Sequence, residues 1–186
     1  MGCAFVILEA ILGVSDTHDK PRFAPMGVTV VDDKAKERVF IRPFSSSKTG
    51  ALLLKKGCGV LNFSDDVFLF ALTALTDISP AACGAVLDDV CYWWEITVDG
   101  AKKDGAADRW DIECRVAAKK TVRPFSPFNR GKHAVLEAAI LASRVYLMQK
   151  PRAHLTASIK ELEKIVIKTG GERELEAFDL IQSILG

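Results

Sequence analysis

Apolar residues run in short blocks over the first third of the chain, and each block ends in a cluster of turn formers. Residues 6–14 are mostly apolar and are followed by Ser15-Asp16-Thr17-His18-Asp19-Lys20-Pro21, which predicts a hairpin. A second strand is predicted over 22–31, a turn at Asp32-Asp33-Lys34, and a third strand over 38–42. No helical period separates these blocks to supply the crossover that parallel strands need, so they read as antiparallel. Ser46 or Ser47 then caps a short helix that Gly57 closes, 59–63 is a strand, and Asp65-Asp66 opens a helix through Leu75. Residues 76–89 contain Ser79-Pro80 and Gly84 and read partly as loop. A second hairpin follows, with strands over 91–98 and 110–122 joined by a polar turn.

The last third changes period. Ser126-Pro127 reads as a cap with proline in the first helical position, and Val135, Leu136, Ala138, Ala139, Ala142, Val145 and Tyr146 follow at helical spacing. Ser158 with Glu161 three residues on reads as a capping box for a helix that closes at Gly170-Gly171. A final helix is predicted over 172–185, with Leu175, Phe178, Ile181 and Leu185 on one stripe. The predicted class is α+β: a mainly β core over 1–124 followed by a C-terminal helical region over 125–186.

Composition narrows the function classes. With 186 residues, 49% hydrophobic, the chain builds a core of its own. Lys and Arg number 25 against 24 Asp and Glu, so no general positive field draws in nucleic acid or an anionic membrane, and any anion must be held locally. Five cysteines without a C-x-x-C pair fit neither a disulfide framework nor a zinc knuckle, and reduced cytoplasmic thiols are expected. Glu9 interrupts the apolar start, which is too short to span a bilayer, and Val6 breaks the myristoylation pattern begun by Met1-Gly2-Cys3.

The strongest chemical feature is Arg42 with Ser45-Ser46-Ser47-Lys48-Thr49 at a strand-to-helix junction. A helix start offers unpaired N–H groups and partial positive charge, and here two cations and four hydroxyls surround it, which suits a phosphate; a well-capped surface helix is the alternative. A Walker A loop would need glycines where Arg42 and Ser47 stand, and Ser45-x-x-Lys48 with Lys48-Thr49-Gly50 compresses into one loop motifs that penicillin-recognising enzymes take from separate elements. Ala24-Pro25-Met26-Gly27 lies in the second strand, where proline and glycine mark either a sheet edge or a place where a flat ligand meets the backbone. Asn62, between apolar neighbours, either reads a heterocycle's polar rim or satisfies nearby backbone. Asn129, Arg130, Lys132 and His133 read as a solvated helix face, with a ligand role the alternative; His18 and His154 lack partners for a metal site, and at most one of Trp93 and Trp94 belongs to the core.

The runs Ile7-Leu8-Glu9-Ala10-Ile11, Phe23-Ala24-Pro25-Met26-Gly27-Val28, Ile41-Arg42-Pro43-Phe44-Ser45-Ser46-Ser47-Lys48-Thr49 and Gly59-Val60-Leu61-Asn62-Phe63 resemble the flavin-binding split-barrel proteins. With Phe128-Asn129-Arg130-Gly131-Lys132 and Gly170-Gly171-Glu172-Arg173-Glu174, the chain is similar within that superfamily to the domain-of-unknown-function family 447. The resemblance implies a six-stranded split β-barrel, a homodimer, and FMN near the subunit interface. It implies phosphate contacts from Arg42, Ser47, Lys48 and Thr49 with Ser45 and Ser46 close by, and an isoalloxazine faced by Ala24, Pro25, Met26, Gly27 and Asn62. The expected function is a flavin-dependent oxidoreductase transferring hydride at flavin N5; the alternatives are a non-catalytic flavin module and a pterin-linked protein of one-carbon metabolism.

Overall fold

The computed structural model describes residues 6–15, 20–33, 36–127, 129–145 and 152–185; His18, Cys3, Phe128 and Tyr146 lie outside them. Two compact units form. The first comprises Met1–Phe63 and Ala81–Pro124, the second Ser64–Pro80 and Phe125–Gly186. The helical unit thus takes in a segment from between two strands, which a single cut between 124 and 125 does not capture.

In the first unit, β1 (Val6–Val14), β2 (Arg22–Asp33), β3 (Lys36–Ile41), β4 (Cys58–Phe63), β7 (Tyr92–Asp104) and β8 (Arg109–Thr121) close an antiparallel barrel in the order β1-β2-β3-β8-β7-β4. Strand alternation sends Ala10, Leu12, Met26, Val28, Val39, Ile41, Leu61, Phe63, Trp94, Ile96, Ile112 and Cys114 inward to one core. Trp94 is the core tryptophan, its ring centroid 4.7 Å from that of Phe63, while Trp93 is half-buried. The helix α1 (Lys48–Lys56) follows β3; Leu53 is fully buried among the barrel residues, a burial that stabilises by roughly 1.5–3 kcal/mol. Ser47 is its N-cap and Gly57, at φ 72°, its left-handed C-cap, as the sequence predicts.

Two short strands, β5 (Ala82–Cys83) and β6 (Val86–Leu87), lie in the stretch read as partly loop. They are too short to show a period. Their position comes from two residues elsewhere. Gly13 has no side chain where a Cβ would stand 2.2 Å from the carbonyl oxygen of Ala85, so the hairpin seats directly on β1. Asn62 then binds it, as described below.

The helical unit contains α2 (Val67–Leu75), α3 (Arg130–Val145), α4 (Arg152–Thr169) and α5 (Glu172–Leu185). Alanines 134, 138, 139 and 142 share a core with Ile159, Val166, Phe178 and Ile181. The α5 bounds match the prediction, but Leu175 lies outside its buried stripe. Two predicted starts are corrected. The cap of α3 is Asn129, whose Oδ1 accepts from Lys132 N at 3.1 Å, while Ser126 N instead donates to Asp65 Oδ2 at 2.6 Å. Ser158 lies inside α4, where its hydroxyl donates to the His154 carbonyl at 3.2 Å; a serine mid-helix turns back onto the preceding turn and imitates a cap in sequence. No helix among the described residues is long and apolar enough to cross a membrane.

Burial pushes the Cys114 thiol up to about 12 from 9.0, with Asp99 and Glu113 adding to the shift. The unfolded thiol ionises first, so folding stability from this group is intact below pH 9 and is lost as pH climbs toward 12. In urea unfolding across pH 8 to about 11, Cys114→Ala should show a shallower loss of stability with pH than the parent; identical slopes would contradict the assignment.

Candidate functional site

The candidate segments lie where the pairing of β2 with β3 ends. β2 pairs with β1 along Val14↔Arg22 to Val6↔Val30, but with β3 only from Val28↔Ile41 onward. Among the described residues, 22–27 therefore have no strand partner on the side away from β1. Continued pairing would set Arg42 opposite Gly27, Pro43 opposite Met26 and Phe44 opposite Pro25. Pro25 lacks the N–H that a ladder with Phe44 would need, the Pro43 carbonyl is turned to β8, and the chain leaves the sheet at that point. The register thus brings the two candidate segments to the same fork: residues 24–27 form an unpaired edge of β2, and 42–49 depart from it.

Within 24–27 the faces alternate. Met26 is buried in the barrel core and Ala24 packs against it, which corrects the expectation that all four residues face a ligand. Pro25, half-buried, and Gly27, exposed, lie on the outer face, with the backbone edge of the whole segment beside them.

The departing loop is tied to the tip of the β7–β8 hairpin. Ser45 N donates to the Asp108 carbonyl at 2.9 Å, Trp110 N to the Pro43 carbonyl at 3.0 Å, and Arg109 Nη1 to the Arg42 carbonyl at 2.6 Å. The Arg109 guanidinium also lies 3.8 Å from the centroid of the Phe44 ring. Asp108 reaches this contact with φ at 50°, in the left-handed region that aspartate tolerates better than most residues. These hairpin residues were not singled out in the sequence; the one available signal was charge reappearing at Asp104 and at Asp108-Arg109-Trp110-Asp111 around a predicted turn.

At the start of α1, Ser47 Oγ accepts from Gly50 N at 3.1 Å, which leaves its own hydroxyl proton to donate elsewhere. The first turn holds no acidic residue, Lys48 and Ser46 are exposed, and Thr49 is buried. Ser45 Oγ is buried without any hydrogen-bond partner. A buried hydroxyl left so costs about 1–3 kcal/mol, which makes this atom the one place in the loop that asks for a ligand oxygen.

Arg42 and Asn62 have other occupations. Arg42 Nε donates to Asp111 Oδ1 at 2.5 Å and Nη2 to Asp104 Oδ2 at 2.9 Å, and Asp111 first, then Asp104, raise its pKa. Its charge is thus shared with two carboxylates. Asn62 is fully buried; its Nδ2 donates to the Ile11 carbonyl at 3.1 Å and the Ala85 carbonyl at 3.0 Å, and its Oδ1 accepts from Leu87 N at 3.0 Å. Of the two readings of Asn62, the structure carries the backbone one: the amide joins β4 and β1 to the β5–β6 hairpin.

The basic cluster at 129–133 is structural where its contacts are described. Asn129 caps α3 and donates through Nδ2 to the Thr169 carbonyl at 3.2 Å, so one side chain serves two helix ends. Glu174 in turn accepts from Gly171 N at 2.8 Å, and Arg173 forks onto Asp66, the α2 cap, with Nη2 2.9 Å and Nε 3.0 Å from Oδ2. Among the described residues, no group of three or more His, Cys, Asp or Glu is placed to hold a metal.

Family models described as the N-terminal domain of the protein of unknown function DUF447 and as the protein of unknown function DUF447 match residues 8–123 and 129–183. No curated protein matches. Among solved structures, an FMN-bound DUF447 protein from Methanosarcina mazei is 24% identical with a TM-score of 0.84, over 98% of this chain and 97% of that one. The flavin reductase of a styrene monooxygenase from Pseudomonas putida S12 is 19% identical at TM-score 0.50, over 62% and 81%. A nitrilotriacetate monooxygenase component B homologue from Mycobacterium thermoresistibile is 14% identical at 0.51, over 64% and 71%.

Asn62→Ala should lower stability by about 2 kcal/mol and open the 81–90 segment to limited proteolysis, because two carbonyls and one amide lose their partner. A variant with unchanged urea midpoint and unchanged cleavage would show that the amide does not hold this hairpin.

Proposed function

This chain belongs to the DUF447 family, and on that premise we propose that it binds FMN at the β2–β3 fork and works as a flavin-dependent oxidoreductase. The observation that carries the reading is the buried, unpartnered Ser45 hydroxyl in a loop that ends in a helix N-terminus without acidic residues. These residues fit a phosphate dianion: Ser45 supplies a donor with no other bond, Ser46, Ser47 and Thr49 supply further hydroxyls, Lys48 supplies charge, and the first turn of α1 supplies backbone N–H groups. The edge of β2 at 24–27 offers a flat ring backbone groups not taken up by β3. The match to an FMN-bound member of the family, in a chain of nearly the same extent, supports the cofactor's identity.

FMN supplies hydride or electron transfer at its ring N5 when bound. The chain's own part is to grip the phosphate, present the open edge of β2, and keep the loop rigid through the hairpin contacts, so that the ring is held without a protein nucleophile. The homodimer and the cytoplasmic location belong to the same proposal. The exposed apolar Val6 and Ile7 at the start of β1 support a second copy, and the free thiols of Cys58, Cys83 and Cys114 support a reducing compartment.

Ser45→Ala separates this reading from a purely structural loop. Removing an orphaned hydroxyl should leave the apoprotein as stable as the parent or more so, yet weaken FMN about ten-fold, while riboflavin, which lacks the phosphate, binds both forms alike. Lys48→Met should act in the same direction on FMN alone. Equal affinity of parent and variants for FMN, measured by flavin fluorescence quenching, would remove the phosphate assignment. Anaerobic mixing of the FMN-loaded protein with NADH or NADPH then tests turnover: rapid bleaching supports the oxidoreductase, and an unchanged spectrum with both donors favours the non-catalytic module.

A further inference from the structure

Arg42 stands where the loop leaves the sheet, and two of the five N–H groups of its guanidinium are held by carboxylates of the neighbouring hairpin. Nε meets Asp111 Oδ1 and Nη2 meets Asp104 Oδ2. The two carboxylates differ in what else they do. Asp104 Oδ1 accepts from Ala106 N at 3.1 Å and Ala107 N at 3.2 Å, closing the hairpin turn, while Oδ2 is the atom that holds Arg42. Asp111 lies outward on β8, beside the Ile41↔Ile112 pair, and so is a cross-strand neighbour of Arg42. The Arg42 side chain is 53% exposed, so water screens both pairs and each is individually weak. Asp104 and Asp111 offset the charge of Arg42 at this corner, where the Arg109 guanidinium also lies, beside a loop that otherwise has the makings of an anion site.

Resting on the FMN reading above, we propose that Asp104 and Asp111 are positioning residues that set the phosphate affinity of the fork by holding Arg42 as a latch. A dianionic phosphate recruits the guanidinium in exchange for the carboxylates. The same ion pairs would be plain struts if their only role were to brace the loop, and the two roles give opposite signs. A latch lowers anion affinity and its removal raises it; a strut preorganises the loop and its removal weakens every ligand. The exposure of the pairs favours the latch, because bracing does not depend on them. The loop is already tied to the hairpin by the contacts of Ser45 N with Asp108, Trp110 N with Pro43, and Arg109 with both the Arg42 carbonyl and the Phe44 ring.

The test titrates the whole protein with FMN, riboflavin and inorganic phosphate, in the parent and in Asp104→Asn with Asp111→Asn. The amide at 104 keeps the acceptor that closes the turn. Losing two screened ion pairs should tighten FMN and inorganic phosphate by about two- to five-fold, leave riboflavin unchanged, and lose that gain when Arg42→Gln is added. Weaker or unchanged FMN binding overturns the latch, as does a gain that survives Arg42→Gln. If the double variant does not fold, Asp111→Asn alone carries the same signs. A parent that takes no FMN removes the FMN reading separately; the latch is then decided by protection against thermal unfolding with inorganic phosphate, where absence of tightening overturns it.

Discussion

The register at which β2 and β3 part company determines where the fork lies. From Val28↔Ile41 to Asp33↔Lys36 the two strands are paired, and beyond Ile41 the ladder stops: Pro25 has no N–H to offer Phe44, and the Pro43 carbonyl is turned to Trp110 N of β8. The barrel is thereby left with an edge at this corner. Unpaired edges are hazards in most sheets and are shortened or covered. Here the edge is six residues long on one side only, and the chain leaving it turns straight into a helix whose N-terminus is capped by Ser47. One local end of hydrogen bonding brings both halves of the candidate site together.

The surroundings keep that fork from collapsing. Arg109 and the backbone of Asp108 hold the loop from the hairpin side, and Leu53 anchors α1 in the barrel core. On the other face of β1, Gly13 and Asn62 fix the small β5–β6 hairpin by a close approach and an amide with three hydrogen bonds. Ser45 is the exception. In a unit where buried polar groups such as Asn62 find partners, its hydroxyl does not, and an unsatisfied group that persists in an otherwise consistent structure points to a ligand better than to packing.

Elements with strong local chemistry were legible in the sequence. The caps Ser47 and Gly57, the opening of α2 at Asp65-Asp66, the α5 limits and the long strands followed from residue type and period, while the barrel they close was implied by the family resemblance. What escaped depends on contacts between residues distant in the chain. β5 and β6 are two residues each and exist because Asn62, more than twenty positions away, binds Leu87 and Ala85. Ser126 and Ser158 looked like caps because serine bonds to nearby backbone in several geometries, and only the Asn129 bridge to Thr169 shows where α3 begins. The site was legible as a list of residue types, not as roles: sequence offers no sign that Arg42 meets two aspartates more than sixty residues on, or that Met26 and Ala24 turn inward.

The most direct check is to follow backbone amide resonances while FMN is added to the apoprotein. The largest shifts should fall on residues 24–27, apart from Pro25, which has no amide proton, and on 45–49, the two arms of the fork. Shifts confined to α2–α5, or to the strand faces far from Val28 and Ile41, would contradict the placement of the cofactor at the opening of the barrel.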